Sequence, residues 1–202
     1  MWAGSIVIAG VTGGMGAGKS FVSGLLGKLL GVEVFDADTL CLQLMQPNMP
    51  GWQGVKDKWG NRFINFTGHI DRAALRKALF ADSEVRYNVE QLLHPLVREE
   101  ILRLAVEKKK QRQGMVVEVP LLFEVGWQDD FDVVVVVYAE QESCLKRIVT
   151  RDQVTLEDGK AAINTQMTME EKALMADSVI ENSGPLALTI LQVHHLARSF
   201  TM

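Results

Sequence analysis

Gly13-Gly14-Met15-Gly16-Ala17-Gly18-Lys19-Ser20 constrains this chain more than any other stretch. It fits G-x-x-x-x-G-K-[ST], the pattern of a loop that cradles phosphates. A polyphosphate is best held by backbone N–H groups converging on its oxygens, and glycines let the chain curl that closely. A helix opening at the end of the loop adds free N–H groups and the positive end of its dipole. Lys19 is expected to reach the β- and γ-phosphates, and the Ser20 hydroxyl to hold Mg²⁺. The flanks agree with this reading. Ile6 to Val11 is a short apolar strand, while Phe21, Val22, Leu25, Leu26, Leu29 and Leu30 recur at helical spacing until Gly31 stops the helix. The chain is therefore expected to bind a nucleoside triphosphate through Gly14, Met15, Gly16, Ala17, Gly18, Lys19, Ser20 and Phe21.

A length of 202 residues suits one α/β domain with insertions. A net charge of −4 gives no global field to attract nucleic acid or an anionic membrane, so neither partner is expected. Lys108-Lys109-Lys110 with Arg112 is the one dense basic patch, and it reads as a solvated helix end. Cys41 and Cys144 have no metal-ligand spacing and read as reduced thiols of a cytoplasmic protein. The apolar N-terminus lacks a basic n-region, so no signal peptide is expected. The valine run from Val133 to Val137 is too short to span a bilayer and reads as a buried strand.

Further strands are expected at Val32–Phe35, Met115–Val119, Asp132–Tyr138 and Ser178–Glu181. Asp36 and Asp38 follow the second, at the end of a strand where open α/β sheets bind ligands. Two apart, they would share a side in extended chain, one as a base and one as an orienting or metal-associated group. Either could equally cap the next helix. Residues from about 39 to 112 read as mostly helical, with Asp71 as an N-cap and Pro95 bending or restarting a helix. His94 reads as a ligand-site residue or a packed core residue. Glu118, apolar-flanked in its strand, is costly unless paired or ion-linked, and falls where a carboxylate could assist Mg²⁺. In the helix from Glu140 to Asp152, Arg147 and Arg151 lie four apart and suit polyphosphate oxygens, or a plain solvated face. Thr155 and Thr168 read as N-caps, the latter with Glu171 in a capping box. Pro185 opens the C-terminal helix, and His194-His195 near its end read as solvent-facing.

Taken together, the phosphate loop, Asp36-Ala37-Asp38, Ile70-Asp71-Arg72, Leu93-His94-Pro95, Val119-Pro120-Leu121-Leu122-Phe123-Glu124, Leu145-Lys146-Arg147 with Arg151-Asp152, and Ala176 to Gly184 resemble the dephospho-CoA kinase family in order and extent. The resemblance implies an α/β P-loop kinase fold, with a five-stranded parallel sheet flanked by helices. It divides the single unit of residues 1–202 into a core of about 1–38, 113–139 and 173–202, a helical CoA-binding insertion at about 39–112 and a lid at about 140–172. It implies ATP-dependent phosphorylation of the ribose 3′-hydroxyl of dephospho-CoA in the cytoplasm, with Mg²⁺, by a monomer or weak homo-oligomer. By motif, Asp38 looks like the group on the 3′-hydroxyl proton and Lys19, Arg147 and Arg151 like groups on the phosphates. Asn182 and Gly184 look like part of the adenine-side loop. Asp36, His94, Pro120, Leu121 and Leu122 look like the acceptor site or its support. Leu42 stands where many members have arginine, and the resemblance carries no acidic residue at Glu118. A P-loop kinase for another small hydroxylated acceptor, such as a nucleoside or nucleotide, and a non-catalytic nucleotide binder are the alternatives.

Overall fold

Runs rich in valine and isoleucine become the strands of one sheet, and the amphipathic segments between them become helices. The computed structural model describes residues 6–201; residues 1–5 and 202, with the N-terminal stretch of the leader argument, lie outside the described residues. In chain order the elements are β1 (Ile8–Thr12), α1 (Lys19–Leu30), β2 (Glu33–Asp36), α2 (Ala37–Leu44), α3 (Pro50–Trp59), α4 (Arg72–Ala81) and α5 (Ser83–Lys110). Then follow β3 (Met115–Glu118), β4 (Val133–Tyr138), α6 (Gln141–Asp152), α7 (Leu156–Ile163), α8 (Met169–Leu174), β5 (Ser178–Glu181) and α9 (Leu186–Thr201). The chain divides into two compact units, residues 1–36 with 105–202, and residues 37–104.

The first unit holds the sheet, ordered β2-β3-β1-β4-β5, and every pairing is parallel. β1, β3 and β4 are apolar except where Thr12, Glu118 and Tyr138 end them, and buried apart from Tyr138, as strands covered on both faces should be. Val11, Val22, Leu26, Val135, Val137, Val193 and Phe200 belong to one core cluster that joins sheet, α1 and α9. All strands run the same way, so their C-terminal ends lie along one edge of the sheet. The phosphate loop leaves β1 at that edge, and Asp36 ends β2 in register with Glu118 at the end of β3.

The second unit has its own core of Trp52, Val55, Phe63, Ile70, Leu75, Val85, Val89 and Leu93. Asp71 caps α4, its Oδ1 accepting from Ala74 N–H at 3.0 Å, and Pro50 opens α3 at a first-turn position that suits proline. α5 runs through Pro95 without the restart that is one of the two expectations there. A proline inside a helix costs about 3 kcal/mol or more, since a hydrogen bond is lost and the ring crowds the preceding turn. Val85, Val89, Leu93, Val97 and Ile101 offset that cost by burying one i, i+4 ridge along the helix. Pro95 and Gln91 both face solvent, so water can serve the carbonyl the proline leaves unpaired.

The last turns of α5 count with the first unit rather than with the helical insertion. Two of its lysines are engaged rather than merely solvated. Lys108 pairs with Glu33 at 2.8 Å, and Lys109 pairs with Asp132 at 3.0 Å. The start of α2 also departs from expectation. The helix begins at Ala37, so Asp36 ends a strand and Asp38 lies in a first helical turn, and the two share no extended face. A carboxylate in a first turn suits the helix dipole, which favours this early start.

Candidate phosphate-transfer site

The phosphate loop is built around two glycines whose backbone other residues adopt with difficulty, Gly16 at φ 78° and Gly18 at φ 96°. A side chain at either would also collide: a Cβ on Gly16 would stand 2.6 Å from the Cys144 carbonyl oxygen. Gly18 caps α1, which places Lys19 and Ser20 in the first turn. The loop is braced from behind. Asn182 Nδ2 donates to the Ala17 carbonyl at 2.7 Å, and Thr189 Oγ1 donates to Asn182 Oδ1 at 2.9 Å. Arg147 Nη1 donates to the carbonyls of Gly16 at 3.2 Å and Ala17 at 3.3 Å, while its Nη2 donates to the Asn182 carbonyl at 2.6 Å. The Ala17 carbonyl shares its peptide with the Gly18 N–H, so a trans bond aims that N–H the opposite way. Bracing the carbonyls thus orients a donor for an anion.

Three other contacts mark the functional side of the loop and the start of α1. Lys19 Nζ donates to the Gly14 carbonyl at 3.1 Å. Ser20 Oγ donates to Glu118 Oε1 at 2.9 Å, and Ser23 Oγ donates to Glu118 Oε2, also at 2.9 Å. Two hydroxyl donors satisfy a carboxylate that is buried, which resolves the cost of an acidic residue in an apolar strand. Ser20 and Glu118 form an adjacent pair of hard oxygen donors, the chemistry that suits Mg²⁺. No group of three or more His, Cys, Asp or Glu with metal-binding geometry exists among the described residues. A cation held mainly by phosphates and water needs no such cage.

The two arginines of α6 have different surroundings. Arg147 is partly buried against the phosphate loop, whereas Arg151 is exposed and paired with its neighbour Asp152 at 2.7 Å. The helix turns its Arg147 side toward the loop, and a position four residues on clears it. Cys144, buried on the same helix, has its thiol pKa raised by burial, which outweighs the charges of Arg147 and Lys19. Phe21 and Gly184 are exposed and Leu121 is partly buried. The Pro120 carbonyl accepts from Thr12 Oγ1 at 3.2 Å. Leu122 is fully buried, so it supports the turn after β3 from beneath and presents no surface to a ligand.

In the second unit, Asp38 is exposed and His94 is partly buried in α5. Asp38 and burial together push the Cys41 thiol up to about 11, with burial the larger cause. Leu42 lines a groove of about 700 Å³ with Met45, Arg72, Leu75, Arg76 and Leu79. Two guanidinium groups therefore stand beside the position where the family resemblance expects an arginine.

Sequence reasoning missed several residues that shape the site. Ser23 lies one turn after Ser20 on α1, and that spacing is the available signal. Lys172, fully buried, pairs with Glu124 at 2.8 Å, and Gln166 reaches the Met15 N–H at 3.0 Å. Nothing local marks these last residues, because their partners are 48 and 151 positions away.

The family model for dephospho-CoA kinase matches residues 7–187. The chain belongs to the dephospho-CoA kinase family. A dephospho-CoA kinase of Symbiobacterium thermophilum is 37% identical over 187 residues, covering 92% of this chain and 78% of that relative. One of Desulfotalea psychrophila is 34% identical over 183 residues, covering 91% and 92%. The solved structure of dephospho-CoA kinase from Campylobacter jejuni superposes with a TM-score of 0.72 at 27% identity, covering 96% of each chain. Shikimate kinase of Acinetobacter baumannii, at TM-score 0.53 and 17% identity over 96% of this chain and 90% of that one, shares the fold. Within the dephospho-CoA kinase family this chain is thus a P-loop kinase with a five-stranded parallel sheet.

Proposed function

We propose that this chain transfers the terminal phosphoryl group of ATP to the ribose 3′-hydroxyl of dephospho-CoA, giving coenzyme A and ADP. The observation that carries the reading is the braced phosphate loop, with Lys19 and the Ser20–Glu118 pair, in a chain that matches the family over residues 7–187. Phosphoryl transfer needs little covalent help from a protein, so positioning and charge stabilisation supply most of the rate. Loop N–H groups and Lys19 hold the β- and γ-phosphates. Ser20, with Glu118 behind it, would hold Mg²⁺, which when bound spreads the charge of the β- and γ-oxygens.

Asp38 accepts the proton of the 3′-hydroxyl as the new P–O bond forms and the bond to ADP breaks. Asp36, His94, Pro120 and Leu121 line or support the acceptor, with Leu122 as packing. Arg147 braces the loop and keeps part of its fork for phosphate oxygens, and Arg151 would join from the lid at about 140–172. Asn182 and Gly184 lie on the adenine side. Arg72 and Arg76 supply positive charge for the acceptor's diphosphate in place of the family arginine at Leu42. The reaction is placed in the cytoplasm, where the free thiols of Cys41 and Cys144 remain reduced, and the chain acts as a monomer or weak homo-oligomer.

Incubation with Mg·ATP and dephospho-CoA tests this directly by mass spectrometry of the products. The expected result is a product heavier by one phosphoryl group, with the phosphate on the ribose 3′-oxygen. Phosphorylation elsewhere, or none, contradicts the reading.

A further inference from the structure

One peptide of the phosphate loop is held from both sides. Its carbonyl, on Gly14, accepts from Lys19 Nζ at 3.1 Å and from Ala17 N–H at 3.2 Å. Its N–H, on Met15, donates to Oε1 of Gln166 at 3.0 Å, across 151 positions of sequence. The bond is trans, so the carbonyl and the N–H point opposite ways. Lys19 and Ala17 therefore stand on one side of this peptide and Gln166 on the other. The cavity of about 280 Å³ that Gln166 lines with Gly14, Met15, Cys144 and Met169 agrees, since neither Lys19 nor Ser20 borders it. Gln166 grips the outer side of the loop, away from the lysine.

The grip has a firm base. Gln166 lies in the connection between α7 and α8. Met167 N–H donates to Glu124 Oε1 at 3.0 Å, and Met169 packs so closely on the loop that a Cβ on Gly14 would stand 2.8 Å from its Sδ. Thr168 and Glu171 close a capping box on α8. Lys172 on that helix is fully buried and bonds both Glu124 and, at 3.0 Å, the Pro120 carbonyl. A lysine is almost never fully buried unless paired, because removing water from an ammonium costs several kcal/mol. This one ties α8 to the turn after β3. A side chain carried on such a base is preorganised.

The peptide itself needs such partners. Gly13 and Gly14 carry no Cβ, so sterics leave the plane that follows them comparatively free to turn. Its orientation matters because an ammonium group has three donors, and one resting on a carbonyl aims the group at phosphate oxygens. We propose that Gln166 is a positioning residue for Lys19. By holding the Met15 N–H outward, it keeps the Gly14 carbonyl turned inward, where that carbonyl fixes the ammonium for the β- and γ-phosphates. The connection between α7 and α8 thereby sets the lysine of the loop. The inference rests on the phosphoryl-transfer reading above and adds no covalent step.

The test is a double-mutant cycle read on affinity for a non-hydrolysable ATP analogue with Mg²⁺, by calorimetry. Gln166→Met keeps the length of the side chain and loses its strong acceptor. It should weaken the analogue by roughly twofold to tenfold, the worth of one neutral hydrogen bond, and lower kcat by at least that factor. In a Lys19→Ala background the same substitution should cost nothing further, because the group it positions is gone. Gln166→Ala removes the acceptor by truncation and should repeat both results, which keeps the test open if the methionine disturbs the fold. An equal loss with and without Lys19 would make Gln166 a brace of the loop alone and overturn the inference. Wild-type affinity and kcat in both Gln166 variants would overturn it as well. A wild-type chain that binds the analogue but makes no CoA loses the acceptor reading alone, and the cycle still decides the role of Gln166.

Discussion

At Asp36 and Asp38 the backbone changes from strand to helix, and that change gives two nearby carboxylates different surroundings. Asp36 ends β2 beside Glu118, near the Ser20 hydroxyl, whereas Asp38 opens α2. Asp38→Asn keeps the shape and removes the basicity, so kcat should fall by roughly 10²-fold or more, the scale of a general base, with little change in ATP affinity. Asp36→Asn should cost less. Steady-state kinetics with dephospho-CoA varied at saturating ATP make the comparison, and a larger loss in Asp36→Asn would reverse the assignment. Cys41 gives a second expectation at this scale. Its folded value is raised from 9.0 to about 11, so the folded state favours the thiol. The stability this contributes is intact below pH 9.0 and is lost as pH climbs toward about 11. Urea midpoints across that window should fall further for wild type than for Cys41→Ala, and parallel curves would contradict it.

The elements written in local chemistry are the ones legible in the sequence. The phosphate loop, the caps at Asp71, Thr155 and Thr168 and the five strands depend on neighbouring residues, and each is found where local pattern places it. What local pattern misses is decided by distant packing. α5 passes Pro95 because five buried side chains along one ridge outweigh one lost hydrogen bond. Arg147 and Arg151 look alike on a helical wheel, yet only Arg147 meets the loop, whose partner residues are 130 or more positions away. The buried Lys172–Glu124 pair has no local signature at all. The segment α6 to α8 carries these arginines together with Gln166, and closure over ATP would exclude water from the transfer. Hydrogen exchange over residues 140–172 should slow when both substrates, or a bisubstrate analogue, are bound. Unchanged exchange there would leave Arg151 as an ordinary surface charge.

On the scale of the molecule, a sheet unit carrying the phosphate loop and a helical unit with its own core share one chain. No helix among the described residues is long and apolar enough to cross a membrane. The sheet unit accounts for nucleotide chemistry common to many kinases, and its fold is shared with shikimate kinase. The decisive measurement is kcat/KM at fixed Mg·ATP for dephospho-CoA beside adenosine, nucleoside monophosphates and shikimate. The account predicts turnover of dephospho-CoA far above every other acceptor. Comparable or faster turnover of another acceptor would contradict it.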